Sequence, residues 1–316
     1  MRHPLDVLLD ELRESAEPPA QAALYHLSSL EAKDVARVRE TWPYLPVELR
    51  RQLITRLMEL AEVDFEVDFG TIFRLGLEDK DAKVRTAAIK GLWEDEDVRL
   101  VPLLVARLRE DRAVTVQAAA ASSLGRFILM GELEKMRPEL HTMAYKALLA
   151  TCQDADVHTE VQRRALESLA YVSNETVSEL IHEAYAAPEE KMRISAIFAM
   201  GRSADTRWAH HVRQQLFSPN PELRYEATRA CGEIQLREAT PELGELADDI
   251  DQEVREAALW ALGQIGGDKA REILEHYCLA ENEATRAAAE SALDELEFLY
   301  GDLSEFFTRL AKEPNW

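Results

Sequence analysis

The chain has 316 residues, 47% hydrophobic and 30% charged, with 37 Lys and Arg against 59 Asp and Glu, a net charge of −22. That apolar content suffices for a folded core and excludes an intrinsically disordered chain. The acidic balance speaks against a protein that tracks nucleic-acid phosphates or lies on an anionic membrane.

In chain order, Leu5, Leu8, Leu9 and Leu12 form one apolar stripe, which predicts an amphipathic helix. Leu49-Arg50-Arg51-Gln52-Leu53 opens a degenerate copy of a pattern that becomes regular later. Residues 62–69 alternate acidic and apolar side chains. A lone strand there would be unstable, so the segment reads as a loop entering a helix over Gly70–Leu77.

From Val84 onward the chain repeats itself. Units begin at Val84, Val116, Val161, Met192, Leu223, Val254 and Thr285, and the last four gaps are each 31 residues. A fixed period of this size means stacked supersecondary units. Four positions into every unit stands alanine: Ala88, Ala120, Ala165, Ala196, Ala227, Ala258 and Ala289. Seven positions in, the residue is always Gly, Ser or Ala, and eight in it is Leu, Met or Cys. Apolar spacing of 0, 4 and 8 with small residues at 4 and 7 is one helical stripe that lets a neighbouring helix approach closely.

A second helix follows each stripe. The predicted ones are Val98–Arg109, Thr176–Ala186, Thr206–Phe217, Ala239–Ala247 and Lys269–Leu279. Pro102 and Pro241 fall in their first turns, where proline costs little. Gly266-Gly267-Asp268 reads as a helix stop followed by an aspartate N-cap. The gap between Val116 and Val161 is 14 residues longer than the period, and the surplus lies near 131–144, with Pro138 inside it. It predicts an extended helix or loop projecting from the stack. The expected organisation is an N-terminal helical cap with degenerate repeats over 1–78, regular repeats over 79–297, and a C-terminal cap helix or tail over 298–316. Phe306, Phe307 and Leu310 lie in that tail, and a docking peptide is the alternative reading of it.

The three cysteines, Cys152, Cys231 and Cys278, are scattered and have no CxxC spacing. They predict reduced thiols in a cytoplasmic protein, with Cys231 in a core column. No apolar run approaches the ~20 residues of a membrane span, and no leader-like apolar segment follows Met1-Arg2-His3-Pro4.

Asp251-Gln252-Glu253-Val254-Arg255-Glu256-Ala257-Ala258-Leu259-Trp260-Ala261-Leu262-Gly263, and a second copy at Lys83–Leu92, resemble HEAT repeats of the short bacterial, phycobilisome-lyase-like form. The resemblance covers 79–297. It implies an all-α fold, an α-solenoid or superhelix of HEAT-like helical hairpins with irregular N- and C-terminal caps. It also implies that Arg85, Arg193, Arg224, Arg255 and Arg286, one position into their units, are structural. Their expected partners are acids in the preceding loop: Asp79 or Asp81 for Arg85, and Asp249 or Asp251 for Arg255. Gln117 and Gln162 should interrupt this ladder.

No P-loop, dinucleotide-type glycine fingerprint or GxSxG element occurs. The eight histidines do not cluster at metal spacing, and His210-His211 would point ~100° apart on a helix. The paired irons of the HEAT-type deoxyhypusine hydroxylases need repeated His-Glu pairs, and only His182-Glu183 is present. HEAT-like alkylpurine glycosylases need a cationic face. No metal and no cofactor is therefore expected.

The functional lead is a column. The outward positions of the Arg-bearing helix, which lines the concave side in HEAT repeats, are +2 and +6. There Ile194, Phe198, Tyr225, Arg229 and Trp260 make one apolar, aromatic and basic strip over three units, of the kind binding hot spots favour. For Phe198 and Trp260, packing against the next helix is an equal reading. Residues 191–229 also hold seven Lys and Arg against three acids, unlike 233–316, with seven against 21. Solvated faces with internal ion pairs, or a basic patch for an acidic partner, both account for this.

The expected function is a non-catalytic protein–protein interaction scaffold or adaptor in the bacterial cytoplasm, binding a partner peptide or helix. Enzymatic activity is not indicated but stays open. One alternative is an auxiliary subunit or lyase handling a bilin-type prosthetic group, as the resemblance implies. The other is binding of an anionic ligand or nucleic acid through 191–229.

Overall fold

The computed structural model describes residues 3–15 and 17–301. Among them every regular element is helical. The chain divides into two compact units, Met1–Ser168 and Leu169–Trp316.

The first unit contains α1 (Pro4–Glu14), α2 (Gln21–Leu24), α3 (Ala32–Thr41), α4 (Val47–Val63), α5 (Gly70–Gly76), α6 (Ala82–Gly91), α7 (Leu100–Glu110), α8 (Val114–Glu132), α9 (Pro138–Gln153) and most of α10 (Thr159–Leu169). Helices α4, α6 and α8 pack side by side in one layer, and α5 and α7 pair with α6 and α8 from the other. The stripe Leu5, Leu8, Leu9 and Leu12 is buried along α1.

The second unit contains α11 (Glu175–Tyr185), α12 (Glu190–Arg202), α13 (Ala209–Gln215), α14 (Pro221–Glu233), α15 (Thr240–Leu246), α16 (Gln252–Ile265), α17 (Asp268–Tyr277) and α18 (Glu283–Tyr300). Helices α12, α14, α16 and α18 stack in a row, each hairpinned to a shorter helix of the second layer. Helices α13 and α15 are each entered through a 3-10 turn, Thr206–Trp208 and Arg237–Ala239.

The alanine column explains the row. All seven alanines have no exposed surface. A methyl group keeps the helices close, and further along the stripe even that is too large. A Cβ on Gly232 would stand 3.0 Å from the Ala261 Cα, and one on Gly263 would stand 2.6 Å from the Ala292 carbonyl oxygen. Glycine at these columns sets backbone-to-backbone contact between neighbouring first helices.

In four units the helix start is fixed by the residue three positions before the unit. Asp81, Asn220, Asp251 and Asn282 each accept a hydrogen bond from a first-turn backbone N–H. Each such cap contributes about 1 kcal/mol. At Gly266-Gly267-Asp268 the assignment shifts by one residue. Gly266 and Gly267, at φ +67° and +88°, are the stop and the N-cap, and Asp268 is the first helical residue. Those left-handed angles are what glycine permits and aspartate disfavours.

The arginine column staples the units, in a different register from the one expected. Each Nη1 donates to carbonyls five or six residues back: Arg85 to Asp79 and Lys80, Arg193 to Ala187 and Pro188, Arg224 to Ser218 and Pro219, Arg255 to Asp249 and Ile250, and Arg286 to Ala280. The preceding loop thus supplies carbonyls, and for Arg85 and Arg224 the carboxylate comes from the following one. Arg85 grips Asp111 at 2.7 and 2.7 Å, and Arg224 grips Asp249 at 2.7 and 2.8 Å. Asp79 and Asp81 belong instead to Arg50 and Arg51. The forked guanidinium reaches both ways, which a lysine could not do. Arg50 also donates to the Leu45 carbonyl at 2.6 Å, so α4 and α5 carry the staple of the regular units. Gln162 keeps only the carbonyl bond, to Asp154 at 2.7 Å.

The surplus near 131–144 does not project as a separate loop. It lengthens α8 to 19 residues and α9 to 16, and α9 buries Ala144, Ala147 and Leu148. Of residues 62–69, the first two end α4 and 64–69 form the expected loop into α5. Of the C-terminal tail, 298–300 continue α18, while Phe306, Phe307 and Leu310 lie outside the described residues.

Candidate partner-binding face

The two outward columns behave differently. At +6, Lys90, Ser122 and Ser291 are exposed, and Glu167, Phe198, Arg229 and Trp260 are half-buried. At +2, Ala118, Arg163 and Ile194 are buried, while Tyr225 and Glu256 are half-buried. Ile194 is only 4% exposed, so it belongs to the core and not to an open strip. Helix α12 packs against both α11 and α14. Burying a branched aliphatic chain there contributes about 2 kcal/mol, which favours the inward position.

The remaining strip residues come together in the second unit. The Arg229 guanidinium lies 3.5 Å from the centre of the Trp260 ring. That ring is seated over Gly232, where a Cβ would stand 2.6 Å from Trp260 Cζ3. On the other side, Arg229 approaches the Glu233 carboxylate at 3.8 Å, and Arg202 reaches it at 3.3 Å. Arg202 in turn lies 5.3 Å from the Phe198 ring centre. The result is one continuous chain across three helices: Phe198, Arg202, Glu233, Arg229, Trp260. Tyr225 stands one turn before Arg229 on α14.

Electrostatically the chain is two cations around one carboxylate, flanked by two rings. Burial raises the Glu233 carboxyl above its ordinary range, and Arg202 and Arg229 oppose that rise. The guanidiniums retain side-chain exposures of 37% and 29%, so they can still meet an acidic group from outside. Cation–π contacts in such half-exposed positions contribute about 0.5–2 kcal/mol each and hold the planar groups in place.

Arg202 and Glu233 were not among the sequence-predicted site residues. They occupy the +10 column, one helical turn beyond Phe198 and Arg229. The i, i+4 spacing of 198/202 and 229/233 was the available signal.

The arginine column takes no part in this face, being consumed by carbonyls and aspartates. Cys231 is buried and its thiol is pushed up to about 12 by that burial; Cys152 is pushed to about 12 in the same way. Among the described residues, no group of three or more His, Cys, Asp and Glu side chains has metal-holding geometry. Among the same residues, no helix is long and apolar enough to cross a membrane.

Residues 209–294 match the family of HEAT repeats. The complex of CpcE and CpcF of phycocyanin lyase from Nostoc sp. PCC7120 is similar at 19% identity, over 76% of this chain and 92% of that one, with a TM-score of 0.54. Yeast importin-beta (Kap95p) is similar at 12% identity and a TM-score of 0.53, over 98% of this chain and 48% of its own. The Kap95:Nup1 complex gives 13% identity and a TM-score of 0.50, over 98% and 47%. No curated protein sequence matches the chain. Residues 209–294 are thus HEAT repeats, and the described residues are all-α with the helical-hairpin architecture of the α-solenoids. HEAT and armadillo-like repeats are a fold that generally mediates protein–protein contact.

Proposed function

We propose that this chain is a non-catalytic scaffold that holds a peptide or helix of a partner protein against the α12–α14–α16 face. The observation that carries the reading is the linked chain of Phe198, Arg202, Glu233, Arg229 and Trp260, half-open, with Tyr225 beside it. Aromatic and arginine anchors, fixed before the partner arrives, are what interface hot spots require. Two cations against one carboxylate favour a partner segment carrying acidic and apolar side chains. That segment meets a locally basic stretch, although the whole chain is strongly acidic. Two similar structures, CpcE with CpcF and Kap95 with Nup1, are themselves assemblies with another protein. A cytoplasmic location accords with three unpaired cysteines.

The test begins with capture from the native host and identification of the bound chain by mass spectrometry. Synthetic segments of that chain are then titrated against the purified protein. Tyr225→Ala and Arg229→Gln should each weaken binding of the active segment about tenfold, or ~1.4 kcal/mol, with an unchanged helical melt. Phe217→Ala, at an exposed position after α13, should bind as the wild type does. Equal affinity for all variants removes this face from consideration. A bilin-handling auxiliary role is separated in the same preparation, because it requires a change in visible absorbance when bilin and acceptor protein are mixed with the chain.

A further inference from the structure

The first unit carries a pocket of about 390 Å³ between the end of α6 and the outer side of α8. Its walls are Ile89, Lys90, Trp93, Ser122, Ser123 and Arg126, with no acidic residue among them. Pockets of a few hundred Å³ with apolar walls and a few polar groups are the usual form of ligand sites.

Three observations give it a chemistry. Trp93 is 62% exposed, a large ring standing at the rim instead of in a core. Lys90 makes no ion pair among the described residues, in a chain with 59 acids. Arg126 has no carboxylate partner either. Its Nε donates to the Asp95 carbonyl at 3.1 Å, and its Nη1 to the Trp93 carbonyl at 3.2 Å and the Ser123 hydroxyl at 2.9 Å. Its Nη2 is buried and makes no hydrogen bond. Burial lowers the Arg126 pKa to about 10, which still leaves it a cation at neutral pH. Asp95 and Glu96 both act on it electrostatically, but Asp95 is engaged by Arg74 at 2.5 Å.

The arrangement is therefore prebuilt. Arg126 ties the Trp93 turn onto α8 and places at the pocket a positive charge that Asp95 and Glu96 offset only through space, with no salt bridge. Lys90 adds an exposed one at the rim. A buried polar group short of partners is costly, and the charge attracts an anion through a medium less polar than water. The ring and Ile89 demand an apolar body on that anion.

We infer that this pocket binds a carboxylate borne on an aromatic or aliphatic body, with Lys90 pairing the carboxylate, Trp93 covering the body and Arg126 supplying charge from below. The inference does not rest on the partner-binding face of the second unit. Such a carboxylate can come from a free small acid or from the C-terminus of a peptide.

The experiment follows the indole N–H resonance of Trp93 in the full ¹⁵N-labelled chain, assigned by its loss in Trp93→Phe. Benzoate should shift it saturably, with a Kd of ~1–10 mM as expected for so small a ligand. Benzyl alcohol should not. N-acetyl-Gly-Phe as the free acid should bind, and its amide should not. If the dipeptide acid binds tenfold more tightly than benzoate, the source is a chain terminus; the reverse order makes it a free acid, and both support the carboxylate. Lys90→Gln, at an exposed position, should weaken benzoate at least fivefold with an unchanged melt. Equal shifts with the neutral analogues, no saturation at tenfold higher concentration, or undiminished binding by Lys90→Gln would overturn the inference.

Discussion

Replacing Arg224 by methionine tests the staple between adjacent repeats. Arg224 makes four hydrogen bonds: Nη1 to the Ser218 and Pro219 carbonyls at 2.8 and 3.3 Å, and Nε and Nη2 to Asp249 at 2.7 and 2.8 Å. The two side chains are 13% and 8% exposed. Methionine keeps the apolar stem but leaves Asp249 with the Asp251 N–H, at 2.8 Å, as its remaining donor. Stripping one partner from a well-buried pair costs about 3–5 kcal/mol. The residual exposure places Arg224→Met at the lower end, near ~3 kcal/mol. For a unit of this size that lowers Tm by about 6–12 °C. Urea unfolding in a cycle with Asp249→Leu measures it, and the double variant should recover a large share of the loss. The pH dependence carries a second signature. Arg224 holds the Asp249 carboxyl below its ordinary value of 3.8. The folded state then binds fewer protons than the unfolded one below that value. The resulting stability is fully present above pH 3.8 and is lost as pH falls towards the folded pKa. Arg224→Met should abolish that part of the acid sensitivity. Additive single losses, with a coupling below ~0.5 kcal/mol, would refute the reasoning.

Other outcomes are expected from the same geometry. Gly232→Val meets Trp260 Cζ3 and the Ala261 backbone, so it should cost about 1–3 kcal/mol and alter the Trp260 near-ultraviolet signal; a silent substitution would contradict the close approach. Glu233 titrates above its ordinary 4.5, so the folded state takes its proton up more readily than the unfolded chain does. Its contribution to stability therefore grows as pH falls through that raised value towards 4.5, opposite in sign to Asp249. Protonation also frees Arg202 and Arg229, so binding of an acidic segment should tighten as pH falls towards 4.5, and Glu233→Gln should lose this dependence. Cys231 and Cys152, with thiols near 12, should resist alkylation at pH 8 in the folded protein, whereas Cys278, partly open, should react first.

Much of the architecture was legible because the same constraint recurs. Every unit must bury one stripe against its neighbour, so alanine returns at Ala88, Ala196 and Ala258 with nothing to vary it. The arginine column was equally visible, but its partners were not. Sequence spacing shows that Asp79 precedes Arg85; it does not show that a guanidinium capping one loop with Nη1 turns its other edge to the next loop's Asp111. The surplus near 131–144 was visible as length, while its absorption into α8 and α9 depends on long-range burial of Ala147 and Leu148. On the candidate face, helical periodicity gave Phe198, Arg229 and Trp260 a common column. It misjudged Ile194, because +2 lies at the margin between open surface and core and aliphatic burial decides the matter. Arg202 and Glu233 escaped notice because their role arises between helices: each is an ordinary surface charge until its neighbour is in place.

The central claim is that a partner segment lies on the α12–α14–α16 face. The most direct measurement places a photo-crosslinking amino acid at Tyr225 and, separately, at Phe217, and irradiates each variant in the native host. The account predicts a single crosslinked protein from position 225, joined through a segment rich in acidic and apolar residues, and none from 217. No adduct from 225, or the same adducts from both positions, would contradict it.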